Sequence, residues 1–139
     1  MIGKRSMKIG DKVTLRVRVS EKDVHYADGL VNGAWVLGLF GDIATEVAIR
    51  CDGDEGLIRA YTSLDLLAPV HAGDFIEAVG KLIKRGNTSR TIELEARKSI
   101  SIANIPEQLS AANALDKPVT VAKATLVTVV PKPQQRYHS

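Results

Sequence analysis

An α+β arrangement, one long central helix wrapped by a curved five-stranded antiparallel sheet, is the fold class that this 139-residue sequence predicts. Three observations lead there. A single stretch, Asn32 to Arg50, has the length and apolar content of an extended helix. One strand-like run precedes it and four follow. The composition, 45% hydrophobic and 25% charged with 11 Gly and 5 Pro, suits one compact core and excludes a disordered or low-complexity chain. At this length there is room for one domain over 1–139, with its core at about 11–131 and termini that fray.

The first strand is read from Val13, Leu15, Val17 and Val19, which alternate with Thr14, Arg16, Arg18 and Ser20. The helix follows, about 28 Å long at 1.5 Å per residue. Its first ten positions are apolar or Gly nearly all round, the pattern of an enclosed helix. Gly33, Gly38 and Gly41 each cost about 1 kcal/mol relative to Ala, which suggests close approach of another backbone. The later strands are Leu57–Leu67, Phe75–Arg85, Thr88–Ile102 and Val119–Val130, joined by turns at Ala68–Asp74 and Arg85–Asn87. Residues Asn104–Lys117 are read as a short helix or a polar loop, and the tail after Pro131 as frayed. The order β–α–β–β–β–β is that of a hot-dog fold. Its open edge strands predict a homodimer or a higher assembly of dimers.

Several classes are excluded. Cys51 is the one cysteine, so an intramolecular disulfide framework and a Cys-based zinc site are ruled out, and a reducing cytoplasm is expected. The basic start, Met1 to Lys8, has no apolar run behind it and predicts no signal peptide. Gly33–Gly41, the longest apolar stretch, is too short to span a bilayer, so no membrane partner is expected. Nineteen Lys and Arg against sixteen Asp and Glu give a mild +3. The aromatics are not interleaved with basic residues, which argues against nucleic acid. His25, His71 and His138 lack the spacing of metal ligands, and no Ser or Cys nucleophile elbow is present.

Chemistry is expected at three places. Asp42 and Glu46 lie one helical turn apart on one face. They are either a solvent-facing pair, with Arg50 completing an i,i+4 ion pair, or carboxylates whose burial suits them to take a proton from carbon. In the loop before the helix, Asp28 or Asn32 can act as an N-cap. The N–H groups around Asn32, Gly33 and Ala34 can alternatively receive a developing oxyanion. His25 is either a base or a hydrogen-bonded loop residue. Lys84, Arg85, Asn87, Ser89 and Arg90 surround a Gly86 turn that is either a solvated hairpin tip or a phosphate site. Cys51 reads as a small core residue, and Trp35 as core or as the acyl end of a pocket.

Gly29-Leu30-Val31-Asn32-Gly33-Ala34 resembles the Gly-His-Val-Asn-Asn opening of hot-dog thioesterases, and Pro69–Asp74 resembles their Pro-x-x-x-Gly-Asp connector. Leu30 stands where those enzymes have His, and Gly33 where they have a second Asn. A closer resemblance runs from about Val13 to Pro131, through His25-Tyr26-x-x-Gly29-Leu30-Val31-x-Gly33-Ala34, Leu39-Phe40-Gly41-Asp42-x-Ala44-Thr45-Glu46, Asp52–Leu57, Leu67–Ala78 and Gly86-Asn87-x-Ser89-Arg90. These segments resemble the 3-aminobutyryl-CoA ammonia-lyases of lysine fermentation, relatives of beta-alanyl-CoA ammonia-lyase. The resemblance implies reversible loss of ammonia from a 3-aminoacyl-CoA, a coenzyme A thioester as substrate, and no bound cofactor or metal. A cationic substrate then benefits from two acids, with one of Asp42 and Glu46 as base and the other holding the ammonium. The Lys84–Arg90 turn would hold the CoA phosphates. An acyl-CoA thioesterase, an enoyl-CoA hydratase and a non-catalytic acyl-CoA-binding module are the alternatives.

Overall fold

The computed structural model describes residues 6–137, so the first five residues of the basic start and His138 lie outside the described part. Five strands form one sheet: β1 (Lys12–Arg18), β2 (Leu57–Leu66), β3 (Phe75–Arg85), β4 (Ser89–Ile102) and β5 (Ala112–Val129). Their order is β1-β3-β4-β5-β2, with every neighbouring pair antiparallel. The helix α1 (Gly33–Asp52) crosses the concave face and stops at Gly53, whose left-handed backbone (φ 70°) lets its N–H donate to Ile49 O at 2.7 Å. Among the described residues no helix is long and apolar enough to cross a membrane.

The core is one stripe of α1 against the inward rows of the strands. Val36, Leu39, Phe40, Ile43, Ala44, Val47, Ala48 and Cys51 recur at helical spacing and are buried. They meet Ile76, Ala78 and Leu82 of β3 and Ile92, Leu94 and Ala96 of β4. Gly80 leaves no room for a side chain: a Cβ there would overlap Ile43 Cγ2 and stand 3.1 Å from Leu94 Cδ2. The expectation of a helix enclosed on all sides fails within one chain. The sheet covers one side, and Ala34, Gly38, Asp42 and Ile49 are exposed on the other.

Side chains, rather than a second backbone, fill two of the three helix glycines. A Cβ on Gly33 would stand 2.5 Å from Leu66 Cδ1, and one on Gly41 3.6 Å from Ile58 Cδ1. Between them Tyr61 Oη donates to Leu37 O at 3.2 Å. Helix and strand therefore run antiparallel in register (33 with 66, 37 with 61, 41 with 58). Gly38 meets nothing within 4 Å.

Two sequence expectations need correction. Neither a helix nor a free loop fills 104–117. A turn closed by Ala103 N–H to Ala111 O at 2.9 Å leads into β5 at Ala112, which pairs with Ile102. The pairing then jumps from Ile100↔Ala114 to Lys98↔Val119, so Pro118 falls in an irregularity where no ladder N–H is needed. The tail is also anchored: Gln135 Nε2 donates to Asn87 O and Val130 O, and Arg136 N–H to Asp52 O.

Replacing Gly80 with Ala forces Ile43 or the strand to shift, so urea unfolding should show a loss of about 1–3 kcal/mol, the usual cost of overpacking.

Candidate active site

The start of α1 is held from below. Val31 N–H donates to Val70 O (3.0 Å) and Ala72 N–H to Gly29 O (2.9 Å), which ties the incoming loop to the Pro69–Asp74 turn. That turn rests on a fully buried carboxylate. Asp74 accepts from His71 N–H (2.8 Å) and Ile102 N–H (3.0 Å) and pairs with Lys98 Nζ at 3.2 Å. Lys98 also donates to Pro69 O at 2.8 Å. Sequence reasoning saw the turn but missed Lys98. Its signal was a cation on the inward row of β4, the row of Ile92, Leu94 and Ala96.

Asn32 occupies the N-cap position, yet its side chain makes no capping bond. The first-turn N–H groups of Gly33 and Ala34 therefore face outward with their donors unspent, as an anion-binding helix start requires. Beside them lies an apolar pocket of about 200 Å³ bounded by Val31, Val36, Leu66, Val70 and Val121. Asp28 does not cap the helix. It sits at φ 61° within a single 3-10 turn, an uncommon backbone for a residue with a Cβ. His25 is exposed and edge-on to the Tyr26 ring at 4.7 Å. Trp35 packs against the core, and burial pushes the Cys51 thiol pKa up.

Asp42 is exposed, so its carboxylate is not the buried one expected from an enclosed helix. Glu46 is half-buried, accepts from Arg50 Nε at 2.8 Å, and borders a polar cleft of about 550 Å³ with Asp11, Lys12 and Thr14. Along the helix axis, Gly33 and Glu46 are about 20 Å apart. One chain therefore separates the acids from the amides instead of gathering them.

At the other end of the helix, Arg90 departs from the expected phosphate role. It is 1% exposed, with Nε and Nη2 each 2.8 Å from the Asp52 carboxylate and Nη1 donating to Gly86 O and Ser89 O. The hydrogen bond to Asp52 raises its pKa further. Arg85 is largely committed too, to Ser6 Oγ, Met7 O and Cys51 O, where its charge meets the negative end of α1. Both arginines are thus held by acceptors of the chain itself, and both also line a cleft beside the Gly86 turn. Lys84 is exposed and Ser89 half-buried, while the exposed Asn87 lines that cleft of about 240 Å³ together with Lys132 and Gln135.

One long helix on a five-stranded antiparallel sheet of this order defines a hot-dog protein. Residues 28–101 match the family model of the Thioesterase superfamily. The chain is 48% identical over 125 residues to the 3-aminobutyryl-CoA ammonia lyase of Acetoanaerobium sticklandii, covering 90% of this chain and 98% of that one. The structure of beta-alanyl-CoA:ammonia lyase from Clostridium propionicum superposes with a TM-score of 0.90 at 37% identity, covering 95% and 93% of the two chains. A hexameric hotdog fold thioesterase of Campylobacter jejuni shares the fold at 18% identity, with a TM-score of 0.70 over 89% and 86%. The chain belongs to the thioesterase superfamily and, within it, to the family of aminoacyl-CoA ammonia lyases.

Asp52→Asn would leave Arg90 charged and unpaired in the interior, at an expected cost of about 3–5 kcal/mol in chemical denaturation. The double variant Asp52→Asn, Arg90→Met should recover a large part of that loss.

Proposed function

We propose that the protein catalyses reversible elimination of ammonia from a 3-aminoacyl-CoA, 3-aminobutyryl-CoA giving crotonyl-CoA, in the cytoplasm as a step of lysine fermentation. The observation that carries this reading is the 48% identity extending over 90% of the chain. No prosthetic group is required. The proton to be removed lies beside the thioester carbonyl, so its loss leaves an enolate whose oxygen the Gly33 and Ala34 amides can receive. One such donor typically contributes about 2.7–4 kcal/mol to barrier lowering. A carboxylate takes the C2 proton, the enolate electrons form the C2–C3 double bond, and the C3–N bond breaks. The substrate's ammonium already carries the proton with which ammonia departs. Until then its charge needs an anionic neighbour.

Asp42 and the amides meet in this proposal through a second copy. The exposed edge β2 presents Leu57, Ile58 and Leu64 and an unpaired ladder. Antiparallel pairing of two such edges brings two helices side by side in opposite directions. Ala34, Gly38 and Asp42 form one exposed stripe of α1, with Gly38 bare at its centre. A twofold axis at Gly38 sets Ala34 opposite the partner's Asp42, while Glu46 stays in its cleft beside β1. His25, exposed in the adjacent loop, is a further proton carrier. Lys84, Asn87 and Ser89 are the candidates for the CoA phosphates, with Arg85 and Arg90 shaping their turn.

The deciding assay follows enoyl-thioester absorbance in ammonium buffer beside a free-thiol assay. Ammonium-dependent loss of the enoyl signal without thiol release is the expected result. Thiol release would select a thioesterase, ammonium-independent loss a hydratase, and tight CoA binding without turnover a binding module. Asp42→Asn and Glu46→Gln should each lower elimination by at least about 100-fold. Full turnover by both variants would exclude the acids from the chemistry.

The shared site has its own test. Gly33→Pro removes one amide donor at the first helical position, where the preceding Asn32 is already extended, and its Cβ displaces only the tip of the exposed Leu66 side chain. Mixed dimers of Gly33→Pro and Asp42→Asn chains contain one intact site, so co-expression should restore about a quarter of wild-type activity from two inactive proteins.

A further inference from the structure

The apolar pocket at the start of α1 is backed by four buried valines of the core, and Leu30, Leu66, Ala68 and Pro69 form its rim. Val31 (6% exposed), Val36 (4%), Val70 (3%) and Val121 (1%) are fixed from behind by the sheet and the helix. Leu66, the last residue of the edge strand β2, is 54% exposed, and its Cδ1 occupies the space in front of Gly33 that any side chain at that position would fill. Among the rim residues it is the one that lies against Gly33, and its size can change without opening a cavity in the interior.

The chemistry of the substrate decides what such a pocket takes. A thioester carbonyl received by the Gly33 and Ala34 amides stands at the mouth of the pocket. The ammonium on C3 cannot enter an apolar cavity without losing several kcal/mol of hydration, so it turns outward to the acids. What points inward is the carbon beyond C3. The pocket, at about 200 Å³, suits a short alkyl group, and Leu66 stands where a longer one would continue.

We infer that Leu66, lying across Gly33, closes this pocket and sets the length of alkyl chain that a 3-aminoacyl-CoA substrate carries beyond its amino-bearing carbon. The inference rests on the lyase reading above and assigns that reaction a specificity-determining residue.

The test compares kcat/KM for beta-alanyl-CoA, 3-aminobutyryl-CoA and 3-aminohexanoyl-CoA in the wild-type protein, Leu66→Ala and Leu66→Phe. One methylene in a fitted apolar pocket is worth about 10–200-fold in kcat/KM. Leu66→Ala should therefore raise the 3-aminohexanoyl to 3-aminobutyryl ratio at least about tenfold. Leu66→Phe should lower the 3-aminobutyryl to beta-alanyl ratio by a similar factor, because the bulkier side chain displaces the methyl group. Leu66 lies on the edge that pairs in the proposed dimer, so both variants are compared with wild type by circular dichroism and by dimer elution before their ratios are read. Ratios that stay within about twofold of wild type in both variants, while elimination continues, would overturn Leu66 as the end of the pocket. Wild-type protein that eliminates ammonia from none of the three thioesters would instead remove the lyase reading itself.

Discussion

A guanidinium and a carboxylate withdrawn from water, Arg90 and Asp52, tie the last turn of α1 to the β3–β4 turn. Desolvating two charges costs several kcal/mol each, and mutual attraction offsets this only when geometry is good and the remaining donors are used. Both conditions are met here: the contact is bidentate, and Arg90 Nη1 takes two backbone carbonyls as well. A second buried pair, Lys98 with Asp74, sits at the far end of the same inward row of β4. Between the two cations that row is Ile92, Leu94 and Ala96. β4 thus grips its surroundings electrostatically at both ends and by packing in the middle. The second grip holds the turn under the helix start, which keeps the Gly33 and Ala34 amides in place.

Much of this architecture was legible in the residues. The period-two pattern of Val13 to Val19 gave β1 nearly to the residue, because that strand buries one face only, and the length and apolar content of Asn32 to Arg50 gave α1 to within two residues at either end. The pairs were not legible. Asp52 and Arg90 are 38 residues apart, and a basic cluster around a Gly-Asn turn looks the same in sequence whether its arginines point out or in. Arg90 was therefore read as a phosphate ligand. Ala112–Lys117 escaped recognition for a different reason: it is exposed and carries no buried face to impose alternation, and Pro118 argued against a strand.

The candidate site was half legible. Asn32, Gly33 and Ala34 stand where the sequence placed them, and the absence of a side-chain cap leaves their donors unspent. Asp42 and Glu46 were open to two readings, and the single chain shows the solvent-facing one: Asp42 is exposed and Glu46 accepts from Arg50. The inward alternative came from a helix that looks apolar on every side. That reading mixes two surfaces. One stripe faces the sheet, while the stripe of Ala34 and Gly38 is left uncovered by this chain. Apolarity in sequence does not say which molecule supplies the cover, and that is why the acids looked enclosed.

The in-step seating of β2 side chains on α1 at 33, 37 and 41 has a consequence for how the chain tolerates changes in its length. The connection from Asp52 to Leu57 is short, and Gly53 and Gly56 both take left-handed backbone there. One residue added or deleted in it would shift Ile58, Tyr61 and Leu66 together and turn each toward the wrong side of the strand. The hairpin tip at Ala103–Ala111 touches none of these seats. Insertions would therefore be absorbed at that tip and rejected at the helix exit.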